Sequence, residues 1–210
     1  MIKLFCLFLV LLVVAAVTAD QKCSGSPRKF RNKPCASTTR YTDKTKGACG
    51  CGTGTGSGTG FSWNLNGFTT APNEAFYNDE SPGPLWCGRK CGRCFRLTPT
   101  GGFVPGQGGP PPNDKPVVVM VTNVCPRQGN MQWCGQTPGG GTNQYGYATH
   151  FDIEDLGGQL RRIGWNNPEV TWEEADCAQA HRQNGETPGP DQYKQCQCHK
   201  YSNITIISPP

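Results

Sequence analysis

The chain has 210 residues, with 20 Lys and Arg against 15 Asp and Glu for a formal charge of +5, and only 17% charged and 35% hydrophobic residues. Its 28 Gly and 18 Pro exceed one residue in five, which excludes a heptad rod and a helix-dominated scaffold and favours one loop-rich domain. The positive charge is scattered, and its tightest cluster, Arg28, Lys29, Arg31 and Lys33, lacks the interleaved aromatics or helical phase of a nucleic-acid surface, so that class of partner is excluded too.

The chain begins with Met1, Ile2 and Lys3, then a mostly apolar run from Leu4 to Val17 closed by Thr18 and Ala19. This reads as a secretory signal peptide over residues 1–19, too short for the roughly 20 residues a membrane span needs. No later segment is apolar enough to span a membrane, so the expected product is a secreted, extracellular protein. Its removal takes away Cys6 and leaves an even twelve cysteines: Cys23, Cys35, Cys49, Cys51, Cys87, Cys91, Cys94, Cys125, Cys134, Cys177, Cys196 and Cys198. In an oxidising compartment these predict six disulfides, whose connectivity spacing alone leaves open.

Three Gly/Pro tracts, 52–60, 101–116 and 138–142, read as surface loops of one domain over residues 20–199, followed by a tail over 200–210. β-Branched and aromatic enrichment predicts strands at Cys94–Thr98, Val117–Asn123 and Tyr145–Ile153, with weaker cases at Leu160–Trp165 and Ile204–Ile207. A short helix is expected over Asn73–Asn78. Another is expected to start at Thr171, where Thr171 and Glu174 resemble a capping box and Trp172, Ala175, Ala178 and Gln179 fall near one face. Many short strands with abundant bridges favour a small β-barrel.

Two carboxylates lie in chemically suggestive surroundings. Asp43 sits among Tyr41, Lys44 and Lys46 ahead of a cysteine-anchored turn; Asp152 lies in Gly146-Tyr-Ala-Thr-His-Phe-Asp-Ile153. Period-two geometry puts Tyr147, Thr149, Phe151 and Ile153 on one strand face and Ala148, His150 and Asp152 on the other, so one face can be core while the other lines a cleft. By themselves these carboxylates also read as a turn cap and a strand-end surface group.

Thr38-Thr-Arg-Tyr-Thr-Asp43, followed by Cys49, resembles the signature of the glycoside hydrolase family 45 endoglucanases. Gly47-Ala-Cys-Gly-Cys-Gly52, Cys91-Gly-Arg-Cys94, Val121-Thr-Asn-Val-Cys-Pro126, Trp133-Cys134 and His150-Phe-Asp-Ile153 follow in the family's order. The pattern is similar to the short mollusc members and, more distantly, to the expansins, and spans about Lys22 to Cys198. The resemblance implies an all-β, disulfide-rich fold: a six-stranded double-psi β-barrel with long loops and short helices. It also implies a secreted endo-β-1,4-glucanase that inverts the anomeric carbon, with Asp152 as general acid and Asp43 as general base, acting on cellulose or soluble β-1,4-glucan chains. A monomer without cofactor or metal is expected.

Several further residues follow from the same resemblance. Lys46 matches an active-site lysine that would favour ionised Asp43. Thr39 and Tyr41 flank the base, His150 shares the face of Asp152, and Asn123 ends a strand beside the cleft. Trp63, Trp86, Trp133, Trp165 and Trp172 are candidates for stacking on sugar rings, Trp133 foremost after its match to the motif. Two departures stand out: Thr42 occupies a position usually aromatic, and Gly139–Tyr145 lacks an assisting aspartate, with Asn143 the nearest polar group. Glu154 and Asp155 read as solvent-facing turn groups.

Competing chemistries are weaker. His150, His181 and His199 lack metal-ligand spacing, and the glycine tract at 52–60 lacks a phosphate-loop ending. Asn203-Ile-Thr205 is a glycosylation sequon. The rival functional reading is a non-hydrolytic expansin-like or barwin-like wall-binding protein, from which the presence of Asp43 separates this chain.

Overall fold

The computed structural model describes residues 20–202; the signal peptide expected at 1–19, the Asn203 sequon and the strand expected at Ile204–Ile207 lie outside them. Seven strands form one mixed sheet: β1 (Lys29–Phe30), β2 (Lys33–Tyr41), β3 (Thr69–Pro72), β4 (Cys94–Phe103), β5 (Val117–Val121), β6 (Thr149–Glu154) and β7 (Pro168–Ala175). They run in the order β1-β2-β6-β3-β5-β4-β7, and β2 pairs with β7 as well. The β2–β6 and β3–β5 pairings are parallel and the others antiparallel. β5, Val-Val-Val-Met-Val, is buried at every position, as a strand covered on both faces requires.

Seven short helices are described: α1 (Ser62–Asn66), α2 (Glu74–Tyr77), α3 (Met131–Cys134), α4 (Gln159–Arg162), α5 (Cys177–Asn184), α6 (Pro190–Tyr193) and α7 (His199–Ser202). The expected all-β, six-stranded double-psi barrel is therefore corrected to a mixed α/β fold, in which seven helices accompany a seven-stranded sheet. Two local corrections share the cause. The segment from Thr171 is strand, because Val170, Thr171 and Trp172 pair with Pro99, Thr98 and Leu97 of β4, and long-range pairing outweighs a local capping pattern. The helix starts instead at Cys177, where Asp176 accepts a 3.0 Å hydrogen bond from the Gln179 amide and Gly185 closes the far end in a left-handed conformation. The Leu160–Trp165 strand is likewise replaced by α4, whereas α2 falls within Asn73–Asn78 as expected.

The main core is aromatic. Phe76 packs edge-on against Phe95, Phe151 and Trp172 with centroids 5.1, 5.3 and 4.9 Å away, contacts worth about 0.5–1.5 kcal/mol each beyond burial. Phe151 and Ile153 bury one face of β6 in this core, which turns Asp152 to the other.

All twelve cysteines among the described residues pair: Cys23–Cys35, Cys49–Cys91, Cys51–Cys196, Cys87–Cys198, Cys94–Cys177 and Cys125–Cys134. Three of them, Cys49–Cys91, Cys51–Cys196 and Cys87–Cys198, tie the turn after Asp43, the Leu85–Cys94 segment and the C-terminal helices together. Among the described residues no helix is long and apolar enough to cross a membrane.

Candidate active site

The parallel register of β2 and β6 builds one side of the site. Ser37 lies opposite His150, Thr39 opposite Asp152 and Tyr41 opposite Glu154. Side chains two apart share a strand face, so Ser37, Thr39 and Tyr41 meet His150, Asp152 and Glu154 as two adjacent rows.

These rows carry a hydrogen-bond chain whose direction is fixed from one end. Asn143 accepts the amides of Tyr145 and Tyr147 at its Oδ1, 3.0 and 3.1 Å, so its Nδ2 must face the other way. From there it donates to the Trp133 carbonyl at 3.0 Å and to Ser37 Oγ at 2.9 Å. Ser37 then has its own hydrogen for His150 Nδ1, 2.9 Å away. With Nδ1 accepting, the imidazole proton sits on Nε2 and is donated to Thr39 Oγ1 at 2.9 Å, and Thr39 donates in turn to Asp152 Oδ1 at 2.6 Å. The Asp152 oxygen Oδ1 is thus an acceptor, and a proton on this carboxyl belongs on Oδ2.

Burial supports the same assignment. It pushes His150 down to about 3, against a weaker upward pull from Ser37, so the ring is neutral at any working pH. Burial pushes the Asp152 carboxyl up to about 6; the Thr39 hydrogen bond opposes this, and the negative charge of Asp43 adds to it. Trp133, half-buried, stacks on His150 with centroids 5.4 Å apart and packs at a tilt against Tyr145 at 4.4 Å, so it covers the chain.

Asp43 lies across from this buried row, exposed on the loop that leaves β2. Its Oδ1 accepts from the Thr45 amide at 3.0 Å and from Thr45 Oγ1 at 2.9 Å, an Asx-type turn that aims the carboxylate. Asn123 is half-buried, and its Oδ1 accepts the Ala48 and Val124 amides at 2.8 and 2.9 Å. Gly47 makes room for it. A Cβ there would stand 2.7 Å from Asn123 Cγ, on a backbone with φ of +66°.

Lys46 is in a different place from the one expected. It is buried and donates to the Gly54 carbonyl at 2.7 Å, bracing the glycine loop rather than pairing with Asp43. Tyr41 is held well above its ordinary range by burial, then by the charges of Glu154, Asp152 and Asp43.

The two turn groups expected to face solvent are both buried: Asp155, 7% exposed, accepts the Leu160 amide at 2.8 Å, and Glu154 is 1% exposed. Its Oε1 accepts the Leu156 amide at 3.1 Å, and its Oε2 is buried without a hydrogen-bond partner. Burial pushes it up to about 8, with the Asp43 and Asp152 charges adding to the shift against the Leu156 and Asp155 amides. Alternation of His150, Asp152 and Glu154 is the signal that would have found it. Ser37 is the other residue the sequence reading left out, one alternation before Thr39. Among the described residues no cluster of three His, Cys, Asp or Glu side chains is arranged to hold a metal.

Comparison with known proteins gives the same neighbourhood a family. The family described as EXPB1-like domain 1 matches residues 36–183, a span that includes both carboxylates. An endoglucanase of Mytilus edulis is 46% identical over 181 residues, covering 85% of this chain and 98% of its own. The solved β-1,4-D-endoglucanase Cel45A of that blue mussel superposes with a TM-score of 0.80 over 85% of this chain and 99% of its own. The GH45 endoglucanase EG27II, solved in complex with cellobiose, is 49% identical, with a TM-score of 0.77 over 86% of this chain and 99% of that one. Identity at this level along nearly the whole of each relative settles the family: the chain belongs to the glycoside hydrolase family 45 endoglucanases.

Proposed function

We propose that this endoglucanase is secreted and hydrolyses internal β-1,4-glucosidic bonds of cellulose and related soluble glucans with inversion, Asp152 being the general acid and Asp43 the general base. The observation that carries the reading is the one-way chain Asn143–Ser37–His150–Thr39–Asp152, because it ends on Oδ1 and leaves Oδ2 to hold and deliver a proton.

The chemistry divides between two environments. The acid must keep its proton until the glycosidic oxygen departs, and a carboxyl raised to about 6 by burial is suited to that. The base must be in reach of water, and Asp43 stands exposed on its loop with its carboxylate oriented by Thr45. Inversion requires room for that water, which corresponds to carboxyl groups about 6.5–9.5 Å apart. When water attacks, its proton passes to Asp43, the anomeric carbon–oxygen bond breaks, and Asp152 Oδ2 protonates the leaving oxygen. Ser37, His150 and Asn143 act as positioning residues through Thr39.

The test is digestion of carboxymethyl-cellulose and a defined cello-oligosaccharide by the disulfide-intact protein, with the first-formed anomer followed by NMR. α-Anomer product is expected, and initial β-anomer rejects inversion. The EXPB1-like match keeps the wall-binding alternative specific: complete absence of hydrolysis by the folded protein would favour it.

A further inference from the structure

Four of the five tryptophans are committed to packing. Trp165 is 3% exposed in the main core, Trp172 packs on Phe76 and Phe95, Trp133 covers His150, and Trp63 stacks on Phe61 while donating to Gln195. Trp86 differs: it is 44% exposed, beside Leu85 at 45%. The chain holds the ring in place nonetheless, since the next residue, Cys87, is bridged to Cys198 and its amide donates to the Ala48 carbonyl at 2.9 Å.

The ring forms one wall of a cavity of about 660 Å³, with Thr55, Ser57, Gln197 and the Lys46 stem among the other walls. Lys46 Nζ lies 5.8 Å from the Trp86 centroid while donating to Gly54, so one cation links the ring to the glycine loop. That loop is folded tightly: a Cβ on Gly58 would stand 2.0 Å from the Thr53 carbonyl oxygen, and Gly52 pairs with Gly60. The cavity comes within one side chain of Asp43, because Thr45, which lines it with Asn123, is the residue that orients Asp43.

An indole face beside hydroxyl and amide side chains matches a pyranose, which has apolar C–H faces and an equatorial rim of hydroxyls. We propose that Trp86 is a sugar-stacking platform at a remote subsite of the same cleft, binding a glucose unit of the β-1,4-glucan chain on the Asp43 side of the scissile bond. The inference rests on the endoglucanase reading above and concerns binding, so it is tested without turnover.

In an Asp152→Asn background, cellohexaose affinity is measured by calorimetry for Trp86, Trp86→Phe and Trp86→Ala proteins, with thermal melts confirming that each is folded. Trp86→Ala is expected to weaken binding roughly fivefold to tenfold and Trp86→Phe by no more than about twofold, from the size of an aromatic contact. In the active protein the same Trp86→Ala change should raise KM on carboxymethyl-cellulose and leave kcat unchanged, as loss of uniform binding does. Equal cellohexaose affinity in Trp86→Ala, or a fall in kcat at unchanged KM, overturns the proposal. Failure of the acid assignment would instead appear as activity surviving in Asp152→Asn, which leaves the affinity comparison readable.

Discussion

The two sides of the cleft are made in opposite ways. Asp152 stands on a central strand between β2 and β3, backed by the Phe76 and Phe95 core, with one oxygen fixed by four linked hydrogen bonds. Asp43 stands on an exposed loop and is aimed by two bonds from a single threonine. The difference teaches how one residue type could serve the two roles proposed: burial raises the Asp152 carboxyl, and an exposed loop leaves Asp43 open to water. Rigidity differs in the same way, since the proposed acid is built into the sheet while the turn beyond the proposed base is held by the disulfides Cys49–Cys91 and Cys51–Cys196.

Removing the acid should break the comparison most completely. Asp152→Asn is expected to lower kcat about 10²–10⁴-fold on carboxymethyl-cellulose, the range for loss of a general acid, with the melting temperature retained. Replacing Cys51 and Cys196 by serine attacks the other side: releasing a cross-link of 145-residue separation should cost about 2–5 kcal/mol in denaturant unfolding, and activity should fall with the loss of the turn beyond Asp43. Thr39→Val sharpens the role of the hydrogen-bond chain. The Thr39 donor favours ionised Asp152, so its loss should move the alkaline limb of kcat/KM to higher pH than the value near 6 set by Asp152; an unmoved limb would detach the chain from the acid.

The smallest effect concerns stability. Glu154 has a folded-state value raised from 4.5 to about 8, so its contribution to stability is complete below about pH 4.5 and is lost as pH rises through about 8. Glu154→Gln should therefore flatten that decline, narrowing the fall in melting temperature between about pH 7 and pH 9 by roughly 3–5 °C. An identical decline in both proteins would place Glu154 outside the buried row.

Local sequence made the chemistry legible sooner than the architecture. Alternation along 149–153 correctly put Phe151 and Asp152 on opposite faces, and the motifs at Asp43 and Asp152 pointed to the family before any pairing was known. Pairing itself was hidden. β7 looked helical because Thr171 and Glu174 carry a local capping pattern, while its partner strand lies about 70 residues earlier in the chain, so no local window contains the deciding contacts. The same limit concealed Ser37: nothing in its neighbours says that β6 will run parallel beside it and place His150 opposite. Asn143 was noticed only as a substitute for a missing aspartate, and the structure shows it as the anchor that sets the direction of the chain.

The most direct measurement is titration of the aspartate carboxyl carbons by NMR in the wild type and in Asp43→Asn. The account predicts that Asp152 titrates near 6 in the wild type and at a lower pH once the Asp43 charge is gone. An Asp152 that titrates near the ordinary 3.8, or that is indifferent to Asp43, would contradict the pairing of a dry acid with a wet base.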